Sequence, residues 1–299
     1  MRPSLLALAA ALLGGCAATA PRPAPAPDLV VSADALAGDL GGAVVVHVDR
    51  DRADYEAGHV PGARFLPLSA VAAERDGVPN VLPPLAEVRA AFEAAGVSDG
   101  SRVVLYGGLG GLAAARALYA LDAIGHPGGA VLDGGLAAWQ RAGRTVSTGP
   151  PAAARPGSIT TAPAPGVTAT AADVRALLDD AAAGRAALVD ARPHDQYTGR
   201  TPGGGVTRPG HIPGAASLFW EEDLRPDGTL RPLGELRERY AAAGAVPGEP
   251  VVTYCRTGVQ AAHAYLVARL LGLRPRLYDG SFYDWSARTD YPVRTGPRP

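Results

Sequence analysis

An α/β fold built twice is what this sequence predicts, and three observations carry the prediction. Short apolar runs alternate with stretches of helical periodicity along the chain, the pattern of a mainly parallel sheet flanked by helices. A set of markers recurs in the same order in both halves. The 299 residues are enough for two domains at ~150 residues each.

In the first half the markers are Val44-Val45-Val46-His47-Val48-Asp49, Gly58-His59-Val60-Pro61-Gly62-Ala63, Val103-Val104-Leu105-Tyr106 and Leu132-Asp133-Gly134-Gly135 with Trp139. In the second they are Ala187-Leu188-Val189-Asp190-Ala191-Arg192, Gly210-His211-Ile212-Pro213-Gly214-Ala215, Val251-Val252-Thr253-Tyr254 and Tyr278-Asp279-Gly280-Ser281 with Trp285. His59 and His211, Tyr106 and Tyr254, and Trp139 and Trp285 lie 152, 148 and 146 residues apart. The chain is therefore read as a tandem duplication, with domains over 28–148 and 167–299. The Pro-, Ala-, Ser- and Thr-rich residues 149–166 join them. Helices are expected where Leu85, Val88, Phe92 and Ala95 follow Pro83-Pro84, and where Leu233, Leu236, Tyr240 and Ala243 precede Gly244. Thr170 and Asp173 make a capping pair for a further helix.

Ahead of the first domain, Arg2, the apolar residues 5–13 and Leu13-Gly14-Gly15-Cys16 read as a lipoprotein signal peptide over residues 1–20, with Cys16 the lipid attachment site. The apolar run is shorter than the ~20 residues that span a bilayer. Residues 21–27 form a Pro-rich tether. This places the protein in the bacterial cell envelope, lipid-anchored and facing the periplasm; cleavage after Ala20, giving a secreted or free periplasmic protein, is the alternative.

The formal net charge of −1 gives no sign of a nucleic-acid partner. No lysine occurs, so all 28 basic residues are Arg. Schiff-base chemistry is thereby excluded, and any anion must be held by Arg or backbone amides. With Cys16 assigned to the anchor, Cys255 remains alone, leaving no intrachain disulfide, CxxC pair or zinc cluster. A single thiol in an exported protein calls for a functional reason.

Its surroundings supply one. Val251-Val252-Thr253-Tyr254 reads as a buried strand and residues 261–271 as a helix, so the loop Cys255-Arg256-Thr257-Gly258-Val259-Gln260 opens a helix N-terminus. Unpaired N–H groups there favour a thiolate, a persulfide or a bound oxyanion. In the first half the corresponding loop is Tyr106-Gly107-Gly108-Leu109-Gly110-Gly111, which has no nucleophile and lacks the Gly-Lys-Ser/Thr ending of a P-loop. A Cys-x5-Arg phosphatase is excluded too, since Ala261 stands where its arginine would be.

The Asp-x-Arg strand end, the Gly-His-Ile-Pro-Gly-Ala turn, the Cys-Arg-Thr-Gly-Val-Gln loop and the Asp-Gly-Ser turn with its Trp resemble the rhodanese superfamily, and more closely its tandem-domain thiosulfate and 3-mercaptopyruvate sulfurtransferases. The resemblance runs from about Asp28 to Pro299. It implies two rhodanese-like domains, the first non-catalytic. It also implies a ping-pong transfer in which Cys255 takes sulfur from a small anionic donor and passes it to a thiol or cyanide, with no metal or other cofactor. By the same resemblance Arg192 binds the anionic end of the donor, Arg256 adds positive charge, and the amides of Thr257, Gly258, Val259 and Gln260 hold the persulfide. The resemblance further implies a relay from Thr257 to His59 with Asp54 or Glu56. Arg200 and Arg208 are expected to shape the donor pocket. By the same resemblance the loop carries one feature of each donor class, the charge of Arg256 pointing to thiosulfate and the hydroxyl of Thr257 to 3-mercaptopyruvate; thiosulfate is the expected donor, and 3-mercaptopyruvate and a persulfide carrier or sensing module are the alternatives.

Overall fold

The computed structural model describes residues 29–151 and 153–299; Cys16 and the signal and tether segments fall outside them. The first half runs β1 (Val30–Val31), α1 (Ala33–Gly38), β2 (Ala43–Asp49), α2 (Arg52–Ala57), β3 (Arg64–Pro67), β4 (Ala73–Arg75), β5 (Val78–Val81), α3 (Leu85–Ala94), β6 (Arg102–Gly107), α4 (Leu112–Ala123), β7 (Gly129–Leu132) and α5 (Gly135–Arg141). The second runs β8 (Thr168–Ala169), α6 (Ala171–Ala176), α7 (Leu178–Ala182), β9 (Ala187–Asp190), α8 (His194–Thr198), β10 (Ala215–Ser217), α9 (Leu233–Ala242), β11 (Val251–Tyr254), α10 (Val259–Leu270), β12 (Pro275–Tyr278) and α11 (Ser281–Ala287). One sheet is ordered β1-β7-β6-β2-β3 and the other, read in the same sense, β8-β12-β11-β9-β10. Every pairing in both is parallel. The duplication seen in sequence is thus a duplication of topology.

Local chemistry accounts for the repeated markers. Each His-x-Pro-Gly-Ala turn is clamped in the same way. His59 Nδ1–H donates to Tyr55 O and His211 Nδ1–H to Tyr197 O, both at 2.9 Å. The rings stack on those tyrosines at 3.9 and 3.8 Å. Tyr106 and Tyr254 accept at their hydroxyls from Val60 N and Ile212 N. Trp139 and Trp285 donate their indole N–H to Thr145 O and Pro292 O. The predicted capping box at Thr170 and Asp173 is present, and caps of this kind stabilise a helix by about 1 kcal/mol.

Helices α4 and α10 form the seam between the halves. Their contact is lined with small side chains, Ala113, Ala114, Ala117, Ala261, Ala264 and Ala268 all being buried in one core cluster. Small residues let the helices approach closely, and Tyr119 meets Tyr265 edge-on at 5.4 Å. The later part of the joining segment is bonded to the first half. Gly157 N bonds to Glu93 O (2.7 Å), Ile159 N to Glu93 Oε1 (2.8 Å) and Thr161 Oγ1 to Ile124 O (2.9 Å).

Two hairpins complete the seam. The β4–β5 hairpin of the first half extends to the second, where Leu82 N donates to Asp279 Oδ2 at 2.6 Å. A shorter hairpin bridged at Leu224 and Leu230 extends the other way, with Leu230 N donating to Asp133 Oδ1 at 2.9 Å. Asp133 and Asp279 occupy the same place in the two Asp-Gly turns. The halves therefore clasp one another reciprocally.

Candidate active site

Cys255 follows the last residue of β11, and the chain turns through Gly258 into α10. Gly258 has φ of +85°, a left-handed conformation that a side chain strains. A Cβ there would also stand 2.9 Å from Asp279 O and 3.1 Å from Arg116 Nη1. The turn aims the Gly258 N–H at the sulfur, 3.1 Å from N to Sγ. The loop is fixed from behind as well. Cys255 N donates to Ser281 Oγ (3.2 Å), Phe282 N to Cys255 O (2.9 Å) and Tyr283 N to Arg256 O (2.9 Å). Ser281, at φ of +53°, belongs to the Asp-Gly-Ser turn, so this motif is the floor of the cysteine loop. Cys255 is 1% exposed. A backbone donor at the head of a 12-residue helix is thus set against the sulfur, placed to bond charge that develops there during a transfer.

Around the loop the predicted residues divide. Arg256 donates from Nη1 to Gly204 O (3.0 Å), which lays its side chain along residues 203–204 of the segment preceding the His-Ile-Pro-Gly-Ala turn. Thr257 is buried, and its hydroxyl accepts from Asn80 Nδ2 at 3.0 Å. Asn80 comes from the β4–β5 hairpin, with φ of +59°. Val259 is the buried first residue of α10 and Gln260 a half-buried second.

Four of the expected residues are engaged in bonds of their own. Arg192 is fully buried: Nε and Nη2 bind both carboxylate oxygens of Asp190 (2.9, 3.1 and 2.5 Å), and Nη2 also reaches Gly210 O (2.8 Å). Its guanidinium lies 4.1 Å over the Phe282 ring. It braces the strand end under the site through Nε and Nη2, while its buried Nη1 has no partner. His59 is committed to Tyr55 in the same way as His211 to Tyr197, so the first-half partner of Thr257 is Asn80 and not an imidazole; Glu56 pairs with Arg52 on the surface. Arg200 is exposed and paired with Asp195. Arg208 donates to Ser286 O, Tyr291 O and Arg288 O at 2.9, 2.8 and 2.5 Å, pinning the C-terminal segment.

Sequence reasoning missed Arg116. It projects from α4 of the first half and is fully buried, donating from Nη1 to Asp279 Oδ1 (2.6 Å) and from Nε to Val71 O (2.9 Å). With Leu82 N on the other oxygen, Asp279 is held wholly from the first half, directly against Gly258. The signal available was an arginine in an otherwise apolar helical run, Leu112-Ala113-Ala114-Ala115-Arg116-Ala117-Leu118, which must find a partner when buried.

The equivalent loop of the first half has collapsed. Gly107 carries on the pairing of β6 with β2 opposite Val48, and a Cβ on it would land on Val48 O. A cysteine at 107 has no room.

A parallel α/β domain with one loop cysteine at a helix N-terminus, docked on a copy of itself that lacks the cysteine, defines a two-domain persulfide-type sulfurtransferase. The chain belongs to the rhodanese family: the rhodanese-like domain matches residues 32–142 and again 170–288. It is 37% identical over 252 residues to the "Probable 3-mercaptopyruvate sulfurtransferase" of Pseudomonas aeruginosa, covering 81% of this chain and 86% of that one. It is 32% identical over 268 residues to the thiosulfate sulfurtransferase of the same organism, covering 89% and 96%. Among solved structures it resembles YnjE, with a TM-score of 0.81 and 26% identity over 90% of this chain and 69% of that one.

Proposed function

We propose that this protein moves a sulfane sulfur from thiosulfate to cyanide or a thiol through a persulfide on Cys255. The observation that carries the reading is the Gly258 N–H set 3.1 Å from Sγ, with Arg256 as the cation of the same loop. The Cys255 thiolate attacks the outer sulfur of the donor and sulfite departs with the electrons of the broken S–S bond. The acceptor then attacks the outer sulfur of the persulfide, and the thiolate returns. In both steps charge rests on sulfur beside a fixed N–H, where a preorganised donor needs no rearrangement.

A second reading, 3-mercaptopyruvate as donor, is favoured by the Thr257 hydroxyl held by Asn80 and by the Pseudomonas relative of that name. The "Sulfur carrier protein TtuD" of Thermus thermophilus, 32% identical over 270 residues, supports a carrier role. Steady-state assays with each donor and cyanide decide between them. Thiosulfate is expected to have the higher kcat/KM, by about tenfold or more, which corresponds to ~1.4 kcal/mol of transition-state binding. The opposite order assigns the mercaptopyruvate activity, and a persulfide that forms without turnover assigns the carrier.

We further propose that Cys16 is lipidated and anchors the protein to the cell envelope on its periplasmic side. The lipobox-like Leu13-Gly14-Gly15-Cys16 supports this. Labelled palmitate is expected in the protein and absent from Cys16→Ser; incorporation that survives the substitution would refute the anchor.

A further inference from the structure

The reciprocal clasp is not symmetric in chemistry. Gly111 and Gly258 are the left-handed residues that open α4 and α10, so Arg116 of α4 and His263 of α10, each five residues on, occupy the same place in their helices. On the catalytic side Arg116 crosses the seam to Asp279. On the other side the shorter His263 faces Asp133 across a cavity of about 300 Å³. That volume holds about ten waters at ~30 Å³ each.

Its walls are apolar, formed by Val30, Leu136, Leu224 and Leu266, and its floor includes the glycine loop of the first half. The ionisable side chains that line it are Asp133, Asp227 and His263; no arginine is among the lining residues. Arg141, beside Gly134, is committed to Asp227 O at 2.8 Å. His263 is 5% exposed, and its Nε2 lies 3.5 Å from Asp223 Oδ2 without a hydrogen bond. Asp133 accepts from Leu230 N, as Asp279 accepts from Leu82 N, but no guanidinium matches the one that Arg116 brings to Asp279. Burial, with the Asp227 carboxylate nearby, pushes the Asp133 carboxyl above its ordinary range against the bond from Leu230 N and the charge of Arg225, which makes no hydrogen bond to it.

We propose that this cavity is a binding site for a small alkylguanidinium-type cation, whose planar head pairs with Asp133 as Arg116 pairs with Asp279 and whose alkyl arm lies along Leu136 and Leu266. A guanidinium donates a charge-assisted hydrogen bond to a carboxylate oxygen, as Arg116 Nη1 does to Asp279 Oδ1 while a backbone N–H holds the other oxygen. The apolar walls exclude water from the pair and accept the arm. The site is separate from the cysteine loop, and the inference does not depend on which sulfur donor is used.

The test is calorimetric titration of the full-length protein with n-butylguanidinium at pH 8, where an ordinary histidine is neutral. Saturable binding to the wild type is expected. Asp133→Asn retains an acceptor for Leu230 N and removes the charge, so it should weaken binding at least tenfold. His263→Arg supplies the head group internally and should abolish binding while raising the melting temperature. Asp133→Asn carries the test alone if the arginine variant does not fold. Absence of saturable binding to the wild type, or affinity unchanged in Asp133→Asn, overturns the proposal.

Discussion

Cys255→Ser should lose sulfur transfer by about three orders of magnitude or more, since removal of a covalent nucleophile leaves only the residual catalysis of the binding site. The loop is held by bonds that do not involve the thiol: Cys255 N to Ser281 Oγ, Phe282 N to Cys255 O and Tyr283 N to Arg256 O. A serine hydroxyl can still accept from Gly258 N. The variant is therefore expected to melt within a degree or two of the wild type. Donor titration followed by intact mass measurement should find the added sulfur on wild type and none on the variant. Retained turnover, or a persulfide formed without Cys255, would remove the central assignment.

Arg116→Met should be the most destabilising of the substitutions considered, by about 3–5 kcal/mol, because it leaves Asp279 buried and uncompensated at the seam. Asp279 lies against Gly258, so the loss also reaches the cysteine loop. A shift of the loop by a fraction of an ångström is expected to lower kcat/KM by about tenfold or more in the folded fraction. Adding Asp279→Asn to Arg116→Met should recover much of the stability, since an amide needs no counter-charge and can still accept from Leu82 N. Denaturant unfolding of the two singles and the double gives the coupling directly. Additive costs would mean that the pair does not bind the halves together.

Much of this architecture is local and could be read along the chain. Strand ends, the His-x-Pro-Gly-Ala turns and the cysteine loop are each set within a few residues by periodicity, glycine and proline. The duplication doubled every such signal. The helix after the cysteine begins at Val259, two residues before the first residue periodicity suggests, because Gly258 makes the turn and the chain is helical at once. Charge was less legible. Arg192, Arg200 and Arg208 stand in or near a binding motif, yet their guanidiniums are bonded to Asp190, Asp195 and backbone carbonyls. Residue type says what a side chain can bind, and only packing says what has already bound it. The pairings of Asn80 and Arg116 were hidden for the converse reason. Their partners Thr257 and Asp279 are 177 and 163 residues away and meet them only when the halves dock.

The crossed hairpins have a bearing on how two unlike halves can share one chain. A contact in which each partner offers the other the same surface is the contact of a twofold homodimer, here made between halves of one polypeptide. In such a dimer every substitution is made twice, and loss of the nucleophile on one side is loss on both. Covalent joining releases the two copies from that constraint. One copy can then keep the thiol while the other becomes its scaffold, which is the division of labour between Cys255 and Gly107.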